Sequence, residues 1–99
     1  MRLRDKDRRT IKDSAREVFG EGAVVRLFGS RVDDTLKGGD IDLHVEIDAL
    51  PDGTGRLRTQ FWSILQDRLG EQPIDVVVSE RGQPTRPIER IAYSEGVEL

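Results

Sequence analysis

Residues 40–48 alternate without a break, and that alternation limits the fold more than any other stretch. Ile41, Leu43, Val45 and Ile47 fall at every second position, with Asp40, Asp42, His44, Glu46 and Asp48 between them. A period of two belongs to an extended strand with one buried face and one polar face. On this reading His44 lies on the wet face, as a solvated or rim histidine. Such a strand needs neighbours at its sides and a covering layer on its apolar face.

The flanking segments supply both. Residues 5–19 carry Ile11, Ala15, Val18 and Phe19 at helical spacing, with Asp5 and Asp7 at the positive end of the helix dipole and Gly20 just beyond the last turn. Residues 23–28 form a short apolar run that reads as a strand. Pro51-Asp52-Gly53 marks a turn, and Thr54 is placed to cap a helix over residues 55–69. Leu57, Phe61, Ile64 and Leu65 make its core stripe, with Trp62 and Leu69 widening it toward the sheet. Ile74–Val78 is apolar on both faces except at Asp75, the pattern of an interior strand. Residues 79–84 read as a loop. Pro87 opens a last helix with Ile88, Ile91 and Ala92, Gly96 closes it, and Val97 and Leu99 can pack back on the core.

A long helix joins the strand that starts at Asp40 to the strand that starts at Ile74, so the two are expected to run parallel. Asp40, Asp42 and Asp75 then gather at one edge. The first strand, running antiparallel, would bring Gly29-Ser30 to the same place. The expectation is an α/β fold with a mixed sheet of three to four strands flanked by helices, as one domain over residues 1–99.

Composition narrows the chemistry. The chain has no cysteine, which excludes a disulfide frame, a thiol nucleophile and a zinc–thiolate site. A net charge of −3 gives no bulk attraction to nucleic acid, although 13 Arg and 3 Lys can make local phosphate contacts. No apolar run approaches the ~20 residues of a membrane span, and Met1-Arg2-Leu3-Arg4 lacks the apolar core of a signal peptide. A cytoplasmic protein without a membrane or nucleic-acid partner is expected, and its oligomeric state is left open.

The acids carry the functional reading. Asp40 and Asp42 point to one face, and Asp75 is the third carboxylate at that edge. Unit charges ~4 Å apart repel by about 1 kcal/mol in water and about 4 kcal/mol at an effective dielectric of 20. Three such acids call for cations. Hard oxygen ligands beside a phosphate site suit Mg²⁺, and two ions roughly 3.5–4 Å apart would clamp an in-line displacement. At Gly29 a ligand can approach the main chain, and Ser30 could turn a hydroxyl and backbone N–H groups toward an anion.

Leu27-Phe28-Gly29-Ser30, nine residues, Asp40-Ile41-Asp42-Leu43 and the later Asp75 together resemble the minimal nucleotidyltransferases of the DNA polymerase beta superfamily. The likeness covers nearly the whole chain, including Glu95-Gly96-Val97. It implies the small nucleotidyltransferase fold. It implies that Gly29 and Ser30 hold a triphosphate and that Asp40 and Asp42 bind two Mg²⁺ ions. Asp75 would bind the catalytic ion and help deprotonate a hydroxyl that attacks the α-phosphorus of a nucleoside triphosphate. Arg31 follows Ser30 as in many such proteins and reaches either phosphate or Asp33 or Asp34. The resemblance further implies AMP transfer from ATP to a hydroxyl of a helical HEPN-type partner, in a toxin–antitoxin pair whose antitoxin is the nucleotidyltransferase. The first helix and residues 81–87 are the expected partner contacts. Two alternatives stand beside it: an antitoxin that works by contact alone, and an antibiotic-type adenylyltransferase acting on a small molecule.

Overall fold

The computed structural model describes residues 3–32, 39–82 and 86–99. Helix α1 spans Asp5–Phe19, strand β1 Val24–Phe28, a 3-10 turn Gly29–Val32, strand β2 Ile41–Ile47, helix α2 Thr54–Leu69, strand β3 Ile74–Glu80, helix α3 Pro87–Glu95 and strand β4 Val97–Glu98. The sheet order is β3-β2-β1-β4. β2 pairs parallel with β3 and antiparallel with β1, as the helical crossover requires.

The alternation in β2 separates the two layers. Ile41, Leu43, Val45 and Ile47 join Ile11 and Ala15 of α1 and Phe61 and Leu65 of α2 in one buried cluster. Phe19 meets Phe61 edge to face, 5.5 Å between ring centres. The mixed α/β sheet with helices is therefore the fold the periodicities predict.

Four expectations are corrected. β3 is an edge strand, not an interior one. Its even-numbered apolar residues pack into the core beside α2 and Val77 lines an open cleft, so a two-faced apolar run does not by itself place a strand in the middle. β3 also continues through Ser79 and Glu80, which the sequence assigned to a loop. Helix α2 is capped by Gly53 with no side-chain cap bond, while Thr54 Oγ1 donates to the Pro51 carbonyl at 2.6 Å. His44 is fully buried, because α3 covers the polar face of β2. The packing of Val97 and Leu99 takes the form of a fourth strand: Leu27 pairs with Val97, and Leu99 N–H donates to the Val25 carbonyl at 2.8 Å.

Candidate functional site

The parallel register places Asp42 directly beside Asp75, and the antiparallel register places Phe28 beside Asp42. Residues paired across neighbouring strands share a face, so the two carboxylates stand side by side at one end of the sheet. β1 ends there, and the chain turns at Gly29 with φ +78°. A Cβ on Gly29 would overlap Asp42 Oδ2, so only glycine lets the turn approach that carboxylate.

Asp42 is held in an unfavourable state for a charge. Burial, then the negative charges of Asp75 and Asp40, and a hydrogen bond with Asp75 raise its pKa to about 6. Below that pH the added proton can sit between the two carboxyls. Asp40, which is exposed, lies just before β2 and acts on Asp42 through its charge. Asp75 is also exposed, so of the three acids it is Asp42 that burial acts on. Among the described residues no three acids or histidines close into a ready metal cage. The structure therefore brings Asp42 and Asp75 together, with Asp40 nearby.

Arg31 sits apart from this pair. Its guanidinium donates to the Gly39 carbonyl at 3.5 Å and lines a separate depression with Leu3, Arg4, Asp7 and Gln72. Asp33 and Asp34, the alternative partners of Arg31, and the Ser30 side chain lie outside what the structure describes.

Asp42 and Asp75 open into a cleft of about 700 Å³ that starts at Phe28 and Gly29 and runs over β3. Arg58, Thr59 and Trp62 of α2 form one bank, and Ile88 and Ile91 of α3 the other. This volume lies in the usual range for ligand sites. The sequence reading missed these walls. Trp62 was expected to pack helix onto sheet, yet it is 43% exposed, and its indole N–H donates to the Ile74 carbonyl at 3.0 Å. The available signal was its place at the margin of the α2 stripe.

Farther along the same face of β2 a polar cluster is closed over by α3. Glu46 accepts from Arg26 at 3.0 Å and from the Tyr93 hydroxyl at 2.7 Å. His44 Nε2 bonds the Ser79 hydroxyl, and the His44 ring meets Tyr93 edge to face. Burial, then the positive charge of Arg26, lowers the His44 pKa, so its neutral form is favoured. Burial pushes Glu46 up, but the Tyr93 hydroxyl and Arg26 outweigh it and leave the carboxyl below its ordinary value. Arg81, at the start of the expected partner-contact segment, is exposed and donates to the Asp48 carboxylate and to the Gly22 carbonyl.

A carboxylate pair beside a glycine turn, opening into a cleft, is suited to hold a cation–phosphate complex. In comparisons with known proteins, the family described as nucleotidyltransferase domain matches residues 8–97. No curated protein and no solved structure matches the chain.

Proposed function

The chain belongs to the nucleotidyltransferase domain family, and from this premise we propose that it moves AMP from ATP onto a hydroxyl of a partner protein. The observation that carries the reading is Asp42, raised to about 6 by burial and by the charges of Asp75 and Asp40. A carboxylate in that condition gains from a cation. The all-oxygen donor set of Asp40, Asp42 and Asp75 fits Mg²⁺, with two ions in the fullest form. When bound, Mg²⁺ would offset the charge of the triphosphate and of the transition state.

The protein's own groups have separate tasks. Gly29 and Ser30 receive the phosphates, and Gly29 keeps the approach open beside Asp42. Asp40 and Asp42 would hold the nucleotide's cation, and Asp75 would receive the proton of the acceptor hydroxyl. The acceptor oxygen bonds to the α-phosphorus, the bond from that phosphorus to the β-bridging oxygen breaks, and pyrophosphate leaves with the electron pair. The cleft walls limit the acceptor's approach, which is where orientation lowers the barrier.

The partner half of the reading rests on the likeness to minimal nucleotidyltransferases: a helical HEPN-type toxin as acceptor and this chain as its antitoxin. Co-expression with the genomic neighbour, followed by intact-mass spectrometry, tests it. The neighbour should gain one or more AMP units, and should gain none with Asp40→Asn plus Asp42→Asn. An unmodified neighbour in a tight complex would favour neutralisation by contact. Label passing from α-labelled ATP to a small hydroxylated compound would favour the small-molecule enzyme.

A further inference from the structure

Among the described residues β3 is the last strand of the sheet on its side. Its odd-numbered residues point their backbone groups inward to β2: Ile41 N–H donates to the Pro73 carbonyl at 3.0 Å, and Arg81 N–H to the Ile47 carbonyl at 2.7 Å. The backbone groups of Ile74, Val76, Val78 and Glu80 therefore point outward. Side chains occupy both ends of this edge. Trp62 donates to the Ile74 carbonyl, and the Tyr93 hydroxyl lies 3.5 Å from the Glu80 carbonyl. Between them, Val76 and Val78 have no strand on their outer side among the described residues.

That open stretch adjoins the cleft. Arg58 and Trp62 stand on one side of the edge, one turn apart on α2, and Ile88 and Ile91 stand on the other, one turn apart on α3. Unpaired edge groups with side-chain banks on both sides are the parts of a strand-addition site.

We propose that the acceptor presents its hydroxyl on an extended segment that pairs with Val76 and Val78 as a fifth strand beside β3. This deepens the proposed function and rests on it only for the chemistry. Three observations select the occupant. First, the cleft is continuous with Asp42 and Asp75, so the guest reaches the reacting atoms. Second, a segment one strand spacing beyond β3, about 4.8 Å away, would place its residue opposite Asp75 on Asp75's own face. Asp42 has the same relation to Asp75 on the other side. Third, outside the Asp42–Asp75 pair the charge of the cleft favours a neutral or acidic guest. Among the described residues lining the cleft, Asp42 and Asp75 are the only acids, and Arg58 adds positive charge. A polycationic small molecule would find no carboxylates outside the metal-holding pair.

In-line geometry agrees with this placement. Gly29, where the triphosphate enters, lies on the β1 side of Asp42, and the β3 edge lies on the opposite side. The attacking oxygen must come from opposite the departing pyrophosphate.

The probe is a blocked five-residue peptide with tyrosine at the centre, glutamates beside it for Arg58, and isoleucines at the ends for Ile88 and Ile91. Its control carries N-methyl groups on the amides that would face β3. The reading is amide hydrogen exchange of the full chain with the peptide at millimolar concentration. The peptide should slow exchange at Val76 and Val78 at least about tenfold, while the methylated control leaves it unchanged. Val76→Pro removes one outward N–H and is placed where an edge strand tolerates proline. It should cut transfer to the peptide about tenfold or more while the melting shift produced by Mg²⁺ and ATP persists. No protection at Val76 and Val78, or equal protection by both peptides, overturns the proposal. So does protection that rises with protein concentration alone, which would assign the edge to a second copy. Protection without any nucleotidyl transfer would sink the proposed reaction and leave strand addition standing.

Discussion

Asp42 and Glu46 lie four residues apart on the same face of β2, and their surroundings differ in sign. Glu46 is buried, yet Arg26 and the Tyr93 hydroxyl hold it below its ordinary pKa. Asp42 is half-buried and is raised to about 6, first by that burial and then by the charges of Asp75 and Asp40. Burial pushes both carboxyls up. What decides the difference is compensation: Arg26 and the Tyr93 hydroxyl act on Glu46, whereas among the described residues the charges that act on Asp42 are those of Asp75 and Asp40. A carboxylate satisfied within the fold contributes to stability. One left without a counter-charge beside an open cleft is set up to take its cation from a ligand.

The largest expected effect is on chemistry at the uncompensated end. Asp75→Asn should lower nucleotidyl transfer by about a thousandfold, roughly 4 kcal/mol of barrier, while a non-hydrolysable ATP analogue with Mg²⁺ still binds. Asp42→Asn and Asp40→Asn should lose that binding as well. Titration of the analogue against each variant separates the roles. Equal loss of binding in all three would erase the division of labour.

Next comes stability at the compensated end. Glu46→Ala leaves the guanidinium of Arg26, itself largely buried, without its carboxylate. Removing one partner of such a pair costs about 3 kcal/mol. Asp42→Asn should leave the stability of the ligand-free protein unchanged or raise it, since it removes repulsion. Urea midpoints of the two variants measure this directly. If both lose stability alike, the distinction between the two ends fails.

The same contrast explains how much the sequence revealed. The β2 alternation, the α1 stripe and the crossover made the sheet and its parallel pair legible, because each depends on local periodicity. The meeting of Gly29, Asp42 and Asp75 at one end of the sheet was legible because a glycine turn and isolated acids stand out from apolar strands. His44 was misplaced because a period of two separates the faces of a strand but does not say what covers the second one. Only the docking of α3 decides that, through Tyr93 on His44 and Glu46. β3 was assigned an interior place for a related reason: an apolar run on both faces can line a cleft at the sheet edge as well as pack between neighbouring strands. The cleft walls come from α2 and α3, whose meeting around one edge depends on tertiary packing.

A smaller effect should follow from Tyr93→Phe. The ring still packs on His44 and beneath the Arg26 guanidinium, whose carbon lies 4.8 Å from its centre. What is lost is the 2.7 Å bond to the Glu46 carboxylate. Hydrogen bonds to charged groups contribute about 1.5–3 kcal/mol, and Arg26 keeps Glu46 paired, so a loss near 1.5 kcal/mol is expected. Denaturant titration checks it. A loss as large as that of Glu46→Ala would mean that the hydroxyl, and not the ion pair, holds α3 in place.

The smallest effect is the pH response of Asp42, because the group is partly solvated and its interactions are screened. Its folded pKa, about 6, lies above the ordinary 3.8 of an unfolded aspartate. Between these values the folded state binds more protons than the unfolded state, so stability falls as pH rises. The contribution is fully present below about pH 4 and is gone above about pH 6. Glu46 runs the other way: its folded pKa is lowered, so its contribution is present above its ordinary 4.5 and is lost on acidification. The two opposed trends overlap near pH 4–5, and the wild-type curve alone cannot separate them. The difference between wild type and Asp42→Asn can. With Glu46 common to both, the melting temperature of wild type relative to the variant should decline from pH 4 to pH 6 and then level off. Mg²⁺ with ATP should remove the decline, since a bound cation keeps Asp42 ionised in the folded state. A flat difference curve would mean that Asp42 already has a counter-charge, and the contrast with Glu46 would lose its basis.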